Sequence, residues 1–260
     1  MTKEQEDGRD VSLAELPNDP MEMPPPYWRG SGAIFHVLSA LDDLIKLLQE
    51  LIPVHERTEE ELYEYFASGK EDPESRRFTD ITDDLMELEH RIKLKSDMAI
   101  FMTAIHAEDT LNRFCVYNVH KDIAESTEKL ASPDKLLVAA AVVGAAEVRG
   151  NSVFEGMRKL TAWRNSFAHG HCVDRPTKTL RHNHLIAPAQ YPGVPDSIAS
   201  VRKLLRAYLA LCKFLTSISL NDYTKRESLE SKEIEAYLQT IGRYKFELVH
   251  SNIVYSVSFE

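Results

Sequence analysis

Apolar positions recur at helical spacing over most of the chain. Ile34, Leu38, Leu41, Ile45 and Leu48 fall three or four residues apart, which predicts a helix over 33–52 that stops at Pro53. Thr58, with Glu61 three residues on, has the form of a capping box and predicts a short acidic helix over 58–67. A charged loop containing Gly69 and Pro73 follows. Neither Gly nor Pro occurs from Phe78 to Val119, so this span is predicted as one long helix, or two with a break near Ser96. Ile81, Leu85, Leu88 and Ile92 mark its apolar stripe, and Met98, Phe101, Ile105, Leu111 and Cys115 its continuation.

Ser132, Pro133 and Asp134 read as a cap, a first-position proline and a first-turn acid. The helix they open, to about Ala146, is apolar nearly all round and is predicted to be buried. Another helix starts near Ser152 and carries Leu160, Trp163 and Phe167 on one face up to Gly170. Pro176, Pro188, Pro192 and Pro195 make 171–195 a long irregular excursion, with a short strand expected at 182–187. An amphipathic helix over 197–220, a short helix over 231–242 and one or two strands in KFELVHSNIVYSVSF complete the pattern. The fold class is therefore mostly α, a helical bundle with a long irregular insertion and a short C-terminal β element. The chain divides into an acidic, proline-containing tail over 1–28, predicted to be disordered, N-terminal helices over 29–76, a bundle over 77–220 and an extension over 221–260.

Composition narrows the setting. The chain of 260 residues has three cysteines, an odd number without a CxxC pair, which suits a reducing compartment. Its acidic N-terminus lacks the apolar core of a secretion signal, and no apolar run is as long as a membrane span. A cytoplasmic protein without a membrane partner is expected. The net charge of −10 argues at first against a nucleic-acid partner, but the charges are segregated. Between Arg149 and Lys213 eleven basic side chains face three acidic ones, and between Asp42 and Glu89 sixteen acids face five bases. Solvated helix faces would explain either block; the basic one also suits an anionic ligand.

Chemistry concentrates in Arg164-Asn165-Ser166-Phe167-Ala168-His169-Gly170. Other Arg/His pairs occur at similar gaps, such as Arg113 with His120, Arg175 with His182 and Arg243 with His250. Arg164 differs in being followed directly by an asparagine, at the end of an apolar helix, within basic surroundings. This segment resembles the signature of the HEPN superfamily (higher eukaryotes and prokaryotes nucleotide-binding), helical bundles with an arginine, usually a polar follower, and a histidine after a gap of four to six residues. The resemblance implies metal-independent RNA cleavage without a cofactor, in a homodimer that brings two motifs together, in a toxin, stress or antiphage setting and with an antitoxin or other regulatory partner. His169 would then take the 2′-hydroxyl proton, Arg164 would hold the phosphate, and Asn165 would position the backbone or the imidazole. Some toxins of the family carry a tyrosine two residues after the histidine; this chain has His171 there.

Geometry sets a condition. Five residues of regular helix turn through about 500°, leaving Arg164 and His169 roughly 140° apart, so they converge only if the helix ends first or a second subunit supplies the partner. Glu108 lies on an otherwise apolar stripe, where a carboxylate needs to pair, most economically with Arg164 or His169, unless it sits at a rim and reaches water. Asp109 and Arg113 read as an ordinary helical ion pair. Arg158, Lys159, His171, Arg175, Lys178 and Arg181 are candidate RNA contacts. Two alternatives stand beside the nuclease: a non-catalytic RNA- or protein-binding helical module, and a metal-binding protein using His169, His171, Cys172, His182 and His184. In the plainest reading Arg164 is a salt-bridged arginine and His169 a helix-terminal residue favoured by the dipole.

Overall fold

The computed structural model describes residues 32–69, 76–145, 148–169, 173–174, 179–180, 193–219, 224–248 and 255–260, with the side chains of 166–169, 173–174, 179–180, 224–230 and 248 outside that description. The expected N-terminal tail and the strand at 182–187 lie outside the described residues. Helices dominate the rest, as the apolar periodicity predicts.

Helix α1 spans Gly32–Ala67 without a break, so Pro53 does not end it. A proline removes one helical hydrogen bond, here the one to the carbonyl of Gln49, and both residues are exposed, so water can serve the orphaned oxygen. The buried stripe Leu44, Leu48, Leu51, His55, Thr58, Leu62 and Tyr65 continues through the proline. That packing outweighs an interior-proline penalty of about 3 kcal/mol. Thr58 is accordingly no cap: it is buried, and its hydroxyl donates back to the Val54 carbonyl at 2.8 Å.

Helix α2, Arg76–Asn118, is a single helix of 43 residues, roughly 65 Å long, and Ser96 is buried within it rather than marking a break. It runs antiparallel to α1. Asp43 pairs with Lys95 at 2.7 Å, Glu50 with Arg91 at 3.9 Å and Arg57 with Asp84 at 2.7 Å, so rising positions in one helix meet falling positions in the other. The second half of α2 departs from the predicted stripe. Leu111 and Cys115 are buried, but Met98 is 50% exposed, and Phe101 and Ile105 are only partly covered. Ala99, Thr103, Ala104, Ala107 and Thr110 face the interior instead, because small side chains let the neighbouring helices approach closely.

After the short α3, Lys121–Thr127, comes α4, Ser132–Val142. Ala131, not Ser132, is its cap residue, and no side-chain cap bond forms. Nor is α4 buried all round: Lys135, Leu136, Ala139 and Ala140 point inward, while Val142 is 42% exposed. Helix α5 spans Ser152–His169, and α6 spans Val194–Ile218 with Pro195 in its first turn. Strands β1 (Val173–Asp174) and β2 (Thr179–Leu180) pair antiparallel between them. Helix α7, Thr224–Gly242, is longer than predicted and leads into the antiparallel hairpin of β3 (Tyr244–Leu248) and β4 (Tyr255–Phe259), which matches the expected C-terminal β element.

The core lies where α2 is flanked by α1, α5 and α6. Helices α2 and α6 run in the same direction: His106 stacks on Tyr208 with ring centres 5.1 Å apart, and one end is tied by Ser219 donating to Asn118 at 3.1 Å. Helix α5 meets α6 at Gly156, where an added Cβ would stand 3.0 Å from that of Ala207. The C-terminal hairpin seats Tyr255 between α1 and α2, its hydroxyl donating to Glu89 at 2.6 Å and its ring 5.3 Å from that of His55. Among the described residues no helix is long and apolar enough to cross a membrane.

Candidate functional site

Helix α5 begins where the Asn151 side chain accepts the Phe154 amide at 2.9 Å, a capping bond one residue before the predicted start. Met157 and Leu160 are fully buried and anchor the helix, and Trp163 packs at the core margin. One residue further, Arg164 emerges at the seam between α5 and α2 with 28% of its side chain exposed.

There the guanidinium meets Glu108 of α2. Nη1 of Arg164 pairs with Oε2 of Glu108, whose side chain is 27% exposed. The sequence offered pairing or a rim position for Glu108, and both hold: the carboxylate is paired and water still reaches it. Nε and Nη2 of Arg164 donate to Oδ1 of Asn165 at 3.3 and 3.1 Å. Among the described residues Asn165 thus engages the neighbouring guanidinium; the imidazole it was expected to position lies outside them.

Helix α5 remains helical through His169. The helix therefore does not end before the histidine, and the backbone starts Arg164 and His169 on directions roughly 140° apart. The His169 side chain lies outside the described residues, as do His171, Cys172, Arg175, Lys178, Arg181, His182 and His184. The metal cluster assembled from this stretch consequently falls outside as well; among the described residues no group of three metal-binding side chains occurs.

Of the remaining candidate RNA contacts, Arg158 and Lys159 are exposed on α5. Arg158 pairs with Glu155 one turn back at 3.1 Å, a solvent-screened contact that an incoming phosphate can replace. Lys203, Arg206 and Lys213 are exposed on α6, which packs against α5. The acidic block pairs elsewhere. Between described residues its carboxylates Asp42, Asp43, Glu50 and Asp84 reach Lys46, Lys95, Arg91 and Arg57, all on α1 and α2.

Three titratable or cationic side chains are buried on α2 and α4: His106, Arg113 and Lys135. His106, two residues before Glu108, is fully buried against Tyr208. Arg113, expected to form an ordinary helical pair with Asp109, is only 3% exposed and donates to Thr110 at 3.3 Å. Lys135 is 2% exposed, with its ammonium on Oδ1 of Asn112 and, at 3.3 Å, the Glu128 carbonyl. A lysine directly before the apolar run LLVAAAV is the available signal. Burial pushes the Cys115 thiol up to about 11, with the charge of Lys135 opposing the rise, so this cysteine is a packed side chain and not a nucleophile.

The chain matches no family model, no curated protein and no solved structure, so its function has to be read from its own residues.

Proposed function

We propose that this chain is a HEPN-like, metal-independent endoribonuclease that acts as a homodimer in the cytoplasm, in a toxin, stress or antiphage setting with a regulatory partner. The observation that carries the reading is the half-buried Arg164, oriented by Glu108 and Asn165 yet open to solvent. A guanidinium so held is a preorganised cation for a phosphate, in surroundings of lower dielectric than open water. In the reaction the ribose 2′-oxygen attacks the adjacent phosphorus and its proton passes to His169. The 5′-oxygen leaves and is protonated, giving a 2′,3′-cyclic phosphate and a 5′-hydroxyl. Because Arg164 and His169 diverge on one helix, the histidine completing each site comes from the second protomer. Arg158, Lys159, His171, Arg175, Lys178 and Arg181 line the path of the RNA backbone.

The test is cleavage of a labelled RNA in excess chelator by the wild type, Arg164→Ala and His169→Ala. The reading expects cyclic-phosphate ends from the wild type and a loss of at least a hundredfold in each variant, the order of general-base and oxyanion effects. Cleavage that survives both substitutions refutes it. A second reading, RNA binding without cleavage, is favoured by one observation: Arg164 already has partners in the free chain. Binding that Arg164→Ala abolishes, with no product formed by the wild type, would select it.

A further inference from the structure

The hydrogen bonds of Arg164 leave one place for an anion. A guanidinium offers two forks to an incoming oxyanion, a side edge made by Nε with Nη2 and a terminal edge made by Nη1 with Nη2. Asn165 Oδ1 occupies the side edge, accepting from both of its N–H groups at 3.3 and 3.1 Å. Only the terminal edge remains, and Glu108 Oε2 is on its Nη1. A carboxylate and a phosphodiester present similar pairs of oxygens to such a fork, so they compete for the same seat. Both side chains are about a quarter exposed, so the pair can open to water without unpacking the core.

We infer that Glu108 is an internal stand-in for the substrate phosphate: it holds Arg164 in position while the site is empty and is displaced when RNA binds. The inference rests on the proposed role of Arg164 as the phosphate-holding residue. Glu108 is then a positioning residue whose negative charge lowers affinity for anions, and it gives the empty site a threshold against weak ones. Asn165 keeps its bond in both states and steers the exchange to the terminal edge. A purely structural ion pair makes the opposite demand, since breaking it would loosen the α2–α5 seam and weaken binding.

The experiment measures binding of inorganic phosphate and of an uncleavable 2′-O-methyl oligoribonucleotide to the full chain as wild type, Glu108→Gln, Arg164→Ala and the double variant. Gln keeps the shape and a hydrogen-bonding oxygen while removing the charge. The expected result is about tenfold tighter oligonucleotide binding by Glu108→Gln, the effect of deleting one like charge beside the phosphate, with the gain abolished when Arg164 is also Ala. Unchanged or weaker binding by a folded Glu108→Gln, with Arg164→Ala still defective, overturns the stand-in role and leaves the nuclease reading intact. Arg164→Ala binding as tightly as the wild type overturns both. Should Glu108→Gln not fold, the wild type still decides: its Glu108 carboxylate and Arg164 guanidinium NMR signals are expected to move together as the oligonucleotide is added. Movement of Arg164 alone would mean that the phosphate joins Glu108 and does not replace it, which overturns the inference.

Discussion

Replacing Tyr255 by Phe removes one oxygen from the joint that fastens the C-terminal hairpin to α1 and α2. The ring, 5% exposed and packed near His55 and Phe246, stays in place, so the change isolates the bond from its hydroxyl to Glu89 at 2.6 Å. A hydrogen bond to a charged acceptor contributes about 1.5–3 kcal/mol, and Glu89 is half-buried and can regain some water when the bond is lost. The expected loss is therefore about 2 kcal/mol, or a fall in Tm of about 4–8 °C for a chain of this size. Burial, followed by the charge of Glu89 and its hydrogen bond, raises the Tyr255 phenol above its ordinary value. A raised acid contributes its full stabilisation below the unfolded value, near pH 10, and loses it as pH climbs toward the folded one. Thermal denaturation followed by circular dichroism should then show a wild-type advantage that is constant from pH 7 to 9. That advantage should shrink by about 1 kcal/mol between pH 10 and 11. Equal stability at pH 7, or a gap that does not narrow in alkali, would refute the reasoning.

Two other expectations follow from the packing around the site. Gly156→Leu should lower stability by about 1–3 kcal/mol, because its side chain must enter the space held by Ala207; Gly156→Ala, where a modest adjustment is set against better helix propensity, should stay within about 1 kcal/mol of the wild type. Comparable melting temperatures for Gly156→Leu and the wild type would show that α5 and α6 are not in close contact. Cys115, its thiol raised to about 11 by burial, should resist a thiol reagent at pH 8 until denaturant is added, read by mass spectrometry of the labelled peptide. The stability tied to that thiol is present below its unfolded value near 9 and fades as pH rises toward 11; fast labelling of the native chain at pH 8 would contradict the packing.

The helical class was legible because strong periodicity survives most local disturbances. Pro53 shows where local rules fail: it would stop an isolated helix, yet the stripe continues on both sides and tertiary packing decides. Thr58 and Glu61 carry the letters of a capping box, but a residue on the buried stripe cannot also be a solvent-facing start. The second half of α2 departs from the stripe that its large apolar side chains suggest, because the interior there is lined by alanine and threonine. Nothing local to α2 reveals that its packing changes as α5 and α6 replace α1 beside it, and this is why the spacing of Asp109 and Arg113 gives no sign that Arg113 is buried. Glu108 was legible for the converse reason. A carboxylate among apolar residues declares a need for a partner, and Arg164 was already the cation in question.

The unbroken run of α2 ties the site to the far arm of the molecule. Glu108 sits on the same rod that carries Asp84, Arg91 and Lys95, whose pairs with α1 fix the rotational phase of that rod. Inserting one residue anywhere between Lys95 and Glu108 would turn everything downstream by about 100°, swinging the carboxylate away from the guanidinium. A change in length is thus more damaging to the Arg164 seam in α2 than many changes of side chain.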